Sequence, residues 1–275
     1  MANDSMDRRT FLKLGGLIAA AGAAMPASQL LVTSTMASTG TSTKKSLQFA
    51  MTVNLNNCDG CKECEKACRE ENNVPDLQAT YGEDAARYTP YWIRVAQMKQ
   101  DLPGVEERPI PLLCQHCSDP PCVHVCVTKA SFVRERDGIV MIDEHRCIGC
   151  RYCIIACPFR ARTMVFRENP VPRDQQNSKV PAMMLGVATK CTFCAHKDLE
   201  AGEIPACVEA CIKHMKEVKG KPALEFGNRN DHNEKVARQI ADGEVQELRV
   251  NLEVKSNVYY LGLSKQEALL EKVLG

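Results

Sequence analysis

Short runs of apolar residues, which alternate with polar residues over 47–54, recur between residues 47 and 263, and this pattern is typical of β-strands. It predicts strands over 47–54, 91–98 and 138–143, and a weaker strand over 162–167. The second strand contains Trp92, whose large apolar surface favours a place in the core or an interface over a place beside a cofactor. Because the strands are short and separated by loops, the pattern predicts an α+β fold with short strands, short helices and long loops.

Two segments with prolines interrupt the pattern. Residues 72–90 contain Pro75, Gly82 and Pro90 and are typical of a polar insertion on the surface. Residues 168–189 hold three further prolines and predict a long connecting loop.

The segment after residue 214 contains no cysteine and differs in character. Residues 231–240 predict a charged surface helix, with Asp231 or Asn233 as its N-cap. Residues 248–254 and 258–263 are strand-like and need a cover, either from a partner subunit or from the chain's own core. No stretch in this segment has the length of a transmembrane helix.

Composition predicts a folded globular body. Hydrophobic residues make up 44% of the chain and charged residues 25%, which excludes a disordered chain and a membrane bundle. The formal net charge of +1 gives no support to nucleic-acid binding.

Sixteen cysteines carry the main chemical signal, because they fall into four groups of four that each open with C-x2-C and close with C-x3-C. Two of the groups follow C-x2-C-x2-C-x3-C throughout, which is an iron-sulfur pattern. In chain order the four motifs are Cys58, Cys61, Cys64, Cys68; Cys114, Cys117, Cys122, Cys126; Cys147, Cys150, Cys153, Cys157; and Cys191, Cys194, Cys207, Cys211.

The compact spacing matches the geometry of a 4Fe-4S cubane. Three thiolates on one tight loop can reach three iron corners, whereas the last cysteine begins a helix that carries it toward a second cluster. A tetrahedral zinc site usually joins two separated pairs, so the third cysteine would be surplus. A disulfide framework is the other alternative, but cysteines two residues apart are poorly placed to staple a fold, and 275 residues can build a core without it.

The N-terminus resembles a twin-arginine export signal. Arg8 and Arg9 precede the sequence T-F-L-K and an apolar stretch over 14–27, which is short for a spanning helix. Residues 1–37 are therefore predicted to be signal peptide and linker, with cleavage after Ala27 or Ala37. The twin-arginine route carries folded proteins, so clusters could be built in the reducing cytoplasm before export.

Other side chains near the motifs receive supporting roles. Three cations adjoin cysteines and could raise cluster potentials, although charged residues in such loops are more often solvated: Lys62, Arg151 and Lys190. Four histidines are expected to play surface or supporting roles, because sixteen thiols suffice for four clusters: His116, His124, His145 and His196. The sequence lacks c-type haem, dinucleotide, P-loop and G-x-S-x-G signatures, so the chain alone is not expected to turn over a substrate.

The motifs together resemble the periplasmic four-cluster ferredoxin subunits of quinone-linked respiratory oxidoreductases. That family includes the iron-sulfur subunits of DMSO, tetrathionate, polysulfide and thiosulfate reductases, the formate-dependent nitrite reductase accessory subunit, and DsrO-type subunits. The matching stretches are C-x-G-C-x-x-C-x-x-A-C-R-E-x-N-x-V-P at 58–75, C-Q-H-C-S-D-P-P-C-V-H-V-C at 114–126, C-I-G-C-R-Y-C-I-I-A-C-P at 147–158, and K-C-T-F-C with P-A-C-V-E-A-C within 190–211. One departure is that proline follows only Cys157, whereas Val127 and Ile212 stand where relatives often have it.

The resemblance implies that the first and fourth motifs share two clusters and that the second and third share two. Carried over by position, set 1 is Cys58, Cys61, Cys64 and Cys211; set 2 is Cys191, Cys194, Cys207 and Cys68; set 3 is Cys114, Cys117, Cys122 and Cys157; and set 4 is Cys147, Cys150, Cys153 and Cys126. The resemblance also implies tandem ferredoxin-like domains with pseudo-twofold symmetry and a line of clusters. The first half would be 47–113 with 180–214, the second half 114–179, and 215–275 a C-terminal extension that contacts another subunit.

The expected function is electron transfer through four 4Fe-4S clusters. The implied partners are a polytopic membrane quinone-interacting subunit and either a molybdopterin catalytic subunit or multihaem cytochrome and iron-sulfur subunits, with sulfur-compound metabolism favoured. Without an anchor of its own, the subunit would lie in the periplasm, peripheral on the cytoplasmic membrane. A free-standing periplasmic polyferredoxin and a zinc-stabilised interaction module are the alternatives.

Overall fold

The computed structural model describes residues 47–98 and 107–264, which form small sheets and short helices. The predicted signal peptide and linker lie outside the described residues. The strands are β1 (Phe49–Asn54), β2 (Ile93–Met98), β3 (Arg108–Leu113), β4 (Ser131–Val133), β5 (Val140–Ile142), β6 (Thr163–Met164), β7 (Ala188–Thr189), β8 (Leu224–Asn228), β9 (Val245–Gln246) and β10 (Val258–Leu261). The helices are α1 (Glu63–Glu71), α2 (Leu77–Tyr81), α3 (Pro121–His124), α4 (Tyr152–Ala156), α5 (Ala206–Glu217) and α6 (Lys235–Ala241). The α+β prediction is therefore confirmed.

The largest sheet joins the two ends of the described chain. Its strand order is β8-β1-β10-β9, in which β1 pairs antiparallel with β8 and parallel with β10. Tyr260 of β10 is fully buried and donates its hydroxyl hydrogen to the Pro111 carbonyl at 3.1 Å. The chain's own core thus covers the strand predicted over 258–263.

Three two-stranded antiparallel sheets carry the remaining strands: β2 with β3, β4 with β5, and β6 with β7. Strands β2, β5 and β6 lie within the runs predicted from the sequence. Trp92, just before β2, is buried in the core and donates its indole N–H to the Thr189 hydroxyl at 2.8 Å. The core prediction for Trp92 is confirmed.

Two predictions for the C-terminal segment are wrong in detail. Residues 248–254 contain a 3-10 turn (Val250–Leu252) instead of a strand, because Arg249 and Glu253 on either side have positive φ values of 51° and 53°. Helix α6 begins at Lys235 with Glu234 as its cap residue, and Asp231 instead accepts a hydrogen bond from the Asn233 backbone at 3.1 Å.

The two predicted loop segments pack on one another. Residues 72–90 contain α2 and are largely exposed, but the Asn73 side chain is buried and donates to the carbonyls of Asn177 and Val180, each at 3.0 Å. The Asn177 backbone N–H returns a hydrogen bond to the Asn73 side chain at 2.8 Å. The long loop over 168–189 is thereby fastened beside the first cysteine motif.

Candidate metal centres

All four C-x2-C loops share one backbone feature, a positive φ at the residue just before the second cysteine. These residues are Gly60 (77°), His116 (43°), Gly149 (67°) and Phe193 (54°). A left-handed residue at this position turns the chain sharply within the loop. Only two of the four are glycine, so composition alone would have revealed half of the pattern.

The third and fourth cysteines of each motif lie on or beside a helix. Cys64 and Cys68 are both in α1, and Cys207 and Cys211 are both in α5, so each pair lies one turn apart on one helix face. In the other two motifs the third cysteine is within α3 or α4 and the fourth lies just after it. The helix therefore begins before the third cysteine, and the prediction that the fourth cysteine begins it is wrong.

The motif helices pack in two pairs. Helix α1 of the first motif packs against α5 of the fourth, and α3 of the second motif packs against α4 of the third. This packing brings together motifs that are far apart in sequence.

The thiols predicted as set 1 line one small cavity. Its walls include Cys58, Cys61, Cys64 and Cys211, together with apolar side chains such as Met215. Burial raises the pKa of Cys64 well above its usual value, and negative charge on Cys58 and Cys211 adds to the effect. Cys61 is exposed, but the partial desolvation of its thiol still raises its pKa to about 11.

The thiols predicted as set 2 are buried together. Burial raises the pKa of Cys68, and the neighbouring Cys191 and Cys194 raise it further. The pKa of Cys207 rises for the same reasons, with Cys68 as the first of its thiol neighbours. Asn72, which sequence reasoning missed, donates its side-chain N–H to Cys194 Sγ at 3.4 Å. Its position four residues after Cys68, on the same face of α1, is the signal that could have revealed it.

In the predicted set 3, too, neighbouring thiols raise the pKa of one member. Burial raises the pKa of Cys117, and Cys114, Cys122 and Cys157 add to it. Cys157 belongs to the third motif, so this effect crosses between motifs.

For set 4, the link between motifs rests on the packing of α3 against α4. Cys126 is partly buried, and burial alone would raise the pKa of its thiol. Hydrogen bonds from the Ser131 backbone N–H (3.3 Å) and the Thr128 hydroxyl outweigh this and lower the pKa of Cys126. Its predicted companions are Cys147, Cys150 and Cys153.

Sets 2 and 3 adjoin each other. Burial raises the pKa of Cys191 to about 12, and the next largest contribution comes from Cys114. The exposure of the thiols differs between the sets. All thiols of set 2 are buried, whereas Cys61 of set 1 and Cys150 of set 4 are exposed.

The donor chemistry fits iron-sulfur clusters. All sixteen cysteines are free, and burial raises the pKa of several of them, such as Cys68 and Cys207, so a strongly cationic centre is needed to hold these as thiolates. Backbone N–H groups also reach sulfur, from Phe193 to Cys191 at 3.4 Å and from Ala223 to Cys211 at 3.3 Å. Hydrogen bonds of this kind stabilise thiolate ligands and tune cluster potentials.

The cations and histidines singled out in the sequence differ in their exposure and contacts. Lys62 and Arg151 are exposed, as expected, but the solvated position expected for Lys190 is wrong, since it is 2% exposed. His116 is buried, His145 is exposed, and His124 and His196 contact Asp119 and Glu71, each at 2.7 Å. At the exposed edge of set 1, His214 contacts the Asp59 carboxylate at 2.7 Å, a pair that sequence reasoning did not identify.

Among the described residues, none of the helices combines the length and apolar character needed to cross a bilayer.

Comparisons with known proteins agree with this chemistry. Residues 105–220 match the family described as the 4Fe-4S dicluster domain. The chain is 42% identical to the Hdr-like menaquinol oxidoreductase iron-sulfur subunit 1 of Archaeoglobus fulgidus, over 94% of this chain and 98% of the relative. It is 34% identical to a tetrathionate reductase subunit of Salmonella typhimurium, over 83% and 77% of the two chains, and 34% identical to Protein NrfC of Escherichia coli, over 78% and 80%.

Proposed function

The chain belongs to the 4Fe-4S dicluster family of iron-sulfur electron-transfer subunits, and from this premise we propose that it relays electrons through four 4Fe-4S clusters in a quinone-linked respiratory complex. The observation that carries the proposal is that the helices of the four cysteine motifs, which hold sixteen free thiols, pack in two pairs, with exposed thiols in the predicted first and last sets. When bound, each cluster supplies one-electron redox chemistry.

The proposed ligands are the four sets defined above, each with three thiols from one motif and one from its partner. Packing of α1 on α5 and of α3 on α4 supports this exchange. So does the influence of Cys211 on Cys64 and of Cys157 on Cys117. The repeated left-handed loop position and the two helix pairs also support tandem ferredoxin-like halves related by a pseudo-twofold axis, with the domain boundaries predicted from the sequence.

The sets would follow one another in the order 1, 2, 3, 4. Sets 1 and 2 are joined by neighbouring turns of α1 and of α5. Sets 2 and 3 adjoin through Cys191 and Cys114, and sets 3 and 4 through α3 and α4. The two exposed cysteines, Cys61 and Cys150, would then mark the two ends of the relay.

The two ends present different surfaces to partners. The second and third motifs carry four exposed apolar side chains on or beside them, with the exposed Arg151 among them, and we call this surface the apolar end: Val127 (65% exposed), Ile148 (66%), Tyr152 (56%) and Ile155 (82%). Around Cys61 the exposed side chains are charged, including Asp59, Lys62 and Glu63. We assign the apolar end to a membrane quinone-interacting subunit and the charged end to the other redox subunit, a molybdopterin or multihaem protein.

The quinone link draws support from the Archaeoglobus relative, which is named as a menaquinol oxidoreductase subunit. Sulfur-compound metabolism draws support from the tetrathionate reductase relative. The arginine pair at Arg8 and Arg9, with the apolar stretch after it, supports export in a folded state to the periplasm.

The test begins with anaerobic purification of the full chain. Four clusters require about sixteen iron atoms per chain, with broad visible absorption near about 400 nm. A colourless, zinc-containing preparation would refute the proposal.

Capture from detergent-solubilised membranes then tests docking: Ile155→Asp is expected to lose the membrane partner, whereas the control Val218→Asp, at a 55% exposed valine after α5, should retain it. If wild type and both variants are recovered alone, the protein is a free-standing polyferredoxin.

A further inference from the structure

Two cations are buried among the cysteine thiols. Lys190 is 2% exposed and Arg162 is 3% exposed. A buried charge without a counter-charge is strongly unfavourable, so each of these side chains needs an anionic neighbour. Within the described ranges neither forms an ion pair with a carboxylate.

Lys190 lies between sets 2 and 3. Its ammonium group donates to two neutral acceptors, the carbonyls of Val140 and of Cys191, the latter at 2.6 Å. Burial and the neighbouring Arg162 lower the pKa of Lys190, whereas the thiols of Cys114 in set 3 and Cys191 in set 2 raise it. The ammonium is therefore held by backbone oxygens at a fixed place between two groups of thiols.

Arg162 lies between sets 3 and 4. One guanidinium nitrogen, Nη2, donates to the Ser131 hydroxyl at 2.7 Å. The other two, Nε and Nη1, are buried without a hydrogen-bond acceptor in the part of the chain that the structure describes. Burial opposes the charge of Arg162, but the thiols of Cys122 and Cys114 in set 3 and of Cys153 in set 4 raise its pKa. The free N–H groups of Arg162 thus lie where cluster sulfur and thiolate ligands would accept from them.

We propose that Lys190 and Arg162 are positioning residues of the electron relay, which hold a fixed positive charge in the gaps between sets 2 and 3 and between sets 3 and 4 and so raise the reduction potentials of the adjoining clusters. This inference rests on the proposed four-cluster relay. One-electron reduction adds a negative charge and makes no bond, so a nearby buried cation stabilises the reduced form. Lys62 and Arg151 also adjoin cysteines but are exposed, where water and salt screen their charge.

The experiment is a redox titration of the holoprotein followed by EPR. In Lys190→Gln, which keeps a hydrogen-bond donor but removes the charge, the clusters of sets 2 and 3 are expected to show midpoint potentials lower by at least about 59 mV, a tenfold change for a one-electron couple. Arg162→Gln should lower those of sets 3 and 4, and Arg162→Lys should restore them. The matched control Lys62→Gln, also beside a cysteine, should shift set 1 much less.

Two further readouts keep the outcomes separate. Iron content is measured first: a wild type with far fewer than four clusters defeats the proposed function, whereas full clusters with unshifted potentials in both Gln variants overturn only the role of the cations. Should the Gln variants fail to assemble, the wild-type titration decides. Set 3, bordered by both cations, is expected to reduce at a higher potential than set 1, identified by its loss in Cys58→Ser, and the reverse order overturns the inference.

Discussion

The imidazole ring of His116 stacks on the phenyl ring of Phe193, with centroids 3.8 Å apart and planes 23° from parallel. The two residues occupy the same position in the C-x2-C loops of the second and fourth motifs, so the stack joins two loops that are far apart in sequence. Phe193 also meets Phe226 of β8 edge to face at 5.2 Å. The contact therefore connects the inner cysteine sets to the four-stranded sheet.

Loss of this stack should lower the free energy of unfolding. Phe193 is 1% exposed, so Phe193→Ala is expected to lower the free energy of unfolding by about 3–5 kcal/mol, through lost burial and a cavity. Phe132→Ala is the control, because that ring is 40% exposed, and a much smaller cost is expected. Anaerobic urea unfolding followed by circular dichroism measures both, and equal costs would contradict the structural role of the stack.

The third motif contains a glycine that no other residue should replace. A Cβ at Gly149, where φ is 67°, would lie 2.3 Å from the Gly186 carbonyl oxygen, which is backbone and cannot rotate away. Gly149→Ala is therefore expected to destabilise the fold by more than the roughly 1–2 kcal/mol of left-handed strain, and to reduce iron content. Gly202→Ala isolates the strain, since φ there is 97° and the added Cβ meets nothing within 4 Å. If Gly149→Ala were as stable as Gly202→Ala, the loop would have moved to make room for the added Cβ, and the prediction would be wrong.

The hydrogen bond from Trp92 to Thr189 should contribute measurably to stability. Thr189→Val keeps the shape of the side chain but leaves the buried indole N–H without its acceptor, at an expected cost of about 1–3 kcal/mol. Trp92 is the single tryptophan, so its fluorescence reports unfolding directly. In a Trp92→Phe background there is no indole N–H to leave unpaired, so adding Thr189→Val should cost little further stability. Circular dichroism follows the unfolding of this double variant.

Local patterns predicted the parts of this fold that depend on local chemistry. Short apolar runs located β1, β2 and β10, and spacing identified the four motifs, whereas β3, which contains Pro109 and Pro111, was not predicted. The structure tolerates these prolines because, among the strands of the described residues, β3 pairs with β2 alone. The parallel pairing of β1 with β10 joins distant segments, and no local pattern reports such a contact.

The position of Lys190 was misjudged for a related reason. A lysine beside a cysteine is usually solvated, and only tertiary packing shows that Lys190 is enclosed by other cysteine motifs. The fourth member of each proposed ligand set presents the same difficulty, because its proposed companions lie in another motif. Family resemblance supplied that exchange, and the packing of α1 against α5 is its physical counterpart.

The exchanged ligands make a prediction that iron analysis can decide. If Cys211 completes set 1, Cys211→Ser damages the cluster held by Cys58 and not the one held by Cys191. Adding Cys58→Ser then attacks the same cluster and should cost no further iron, with a total loss of about four atoms per chain, whereas adding Cys191→Ser attacks a second cluster and should bring the loss to about eight. If each motif held its own cluster, the two double variants would exchange results. Because both contain two Cys→Ser changes, a general loss of stability would affect them alike, and only the difference between them reports which thiols share a cluster.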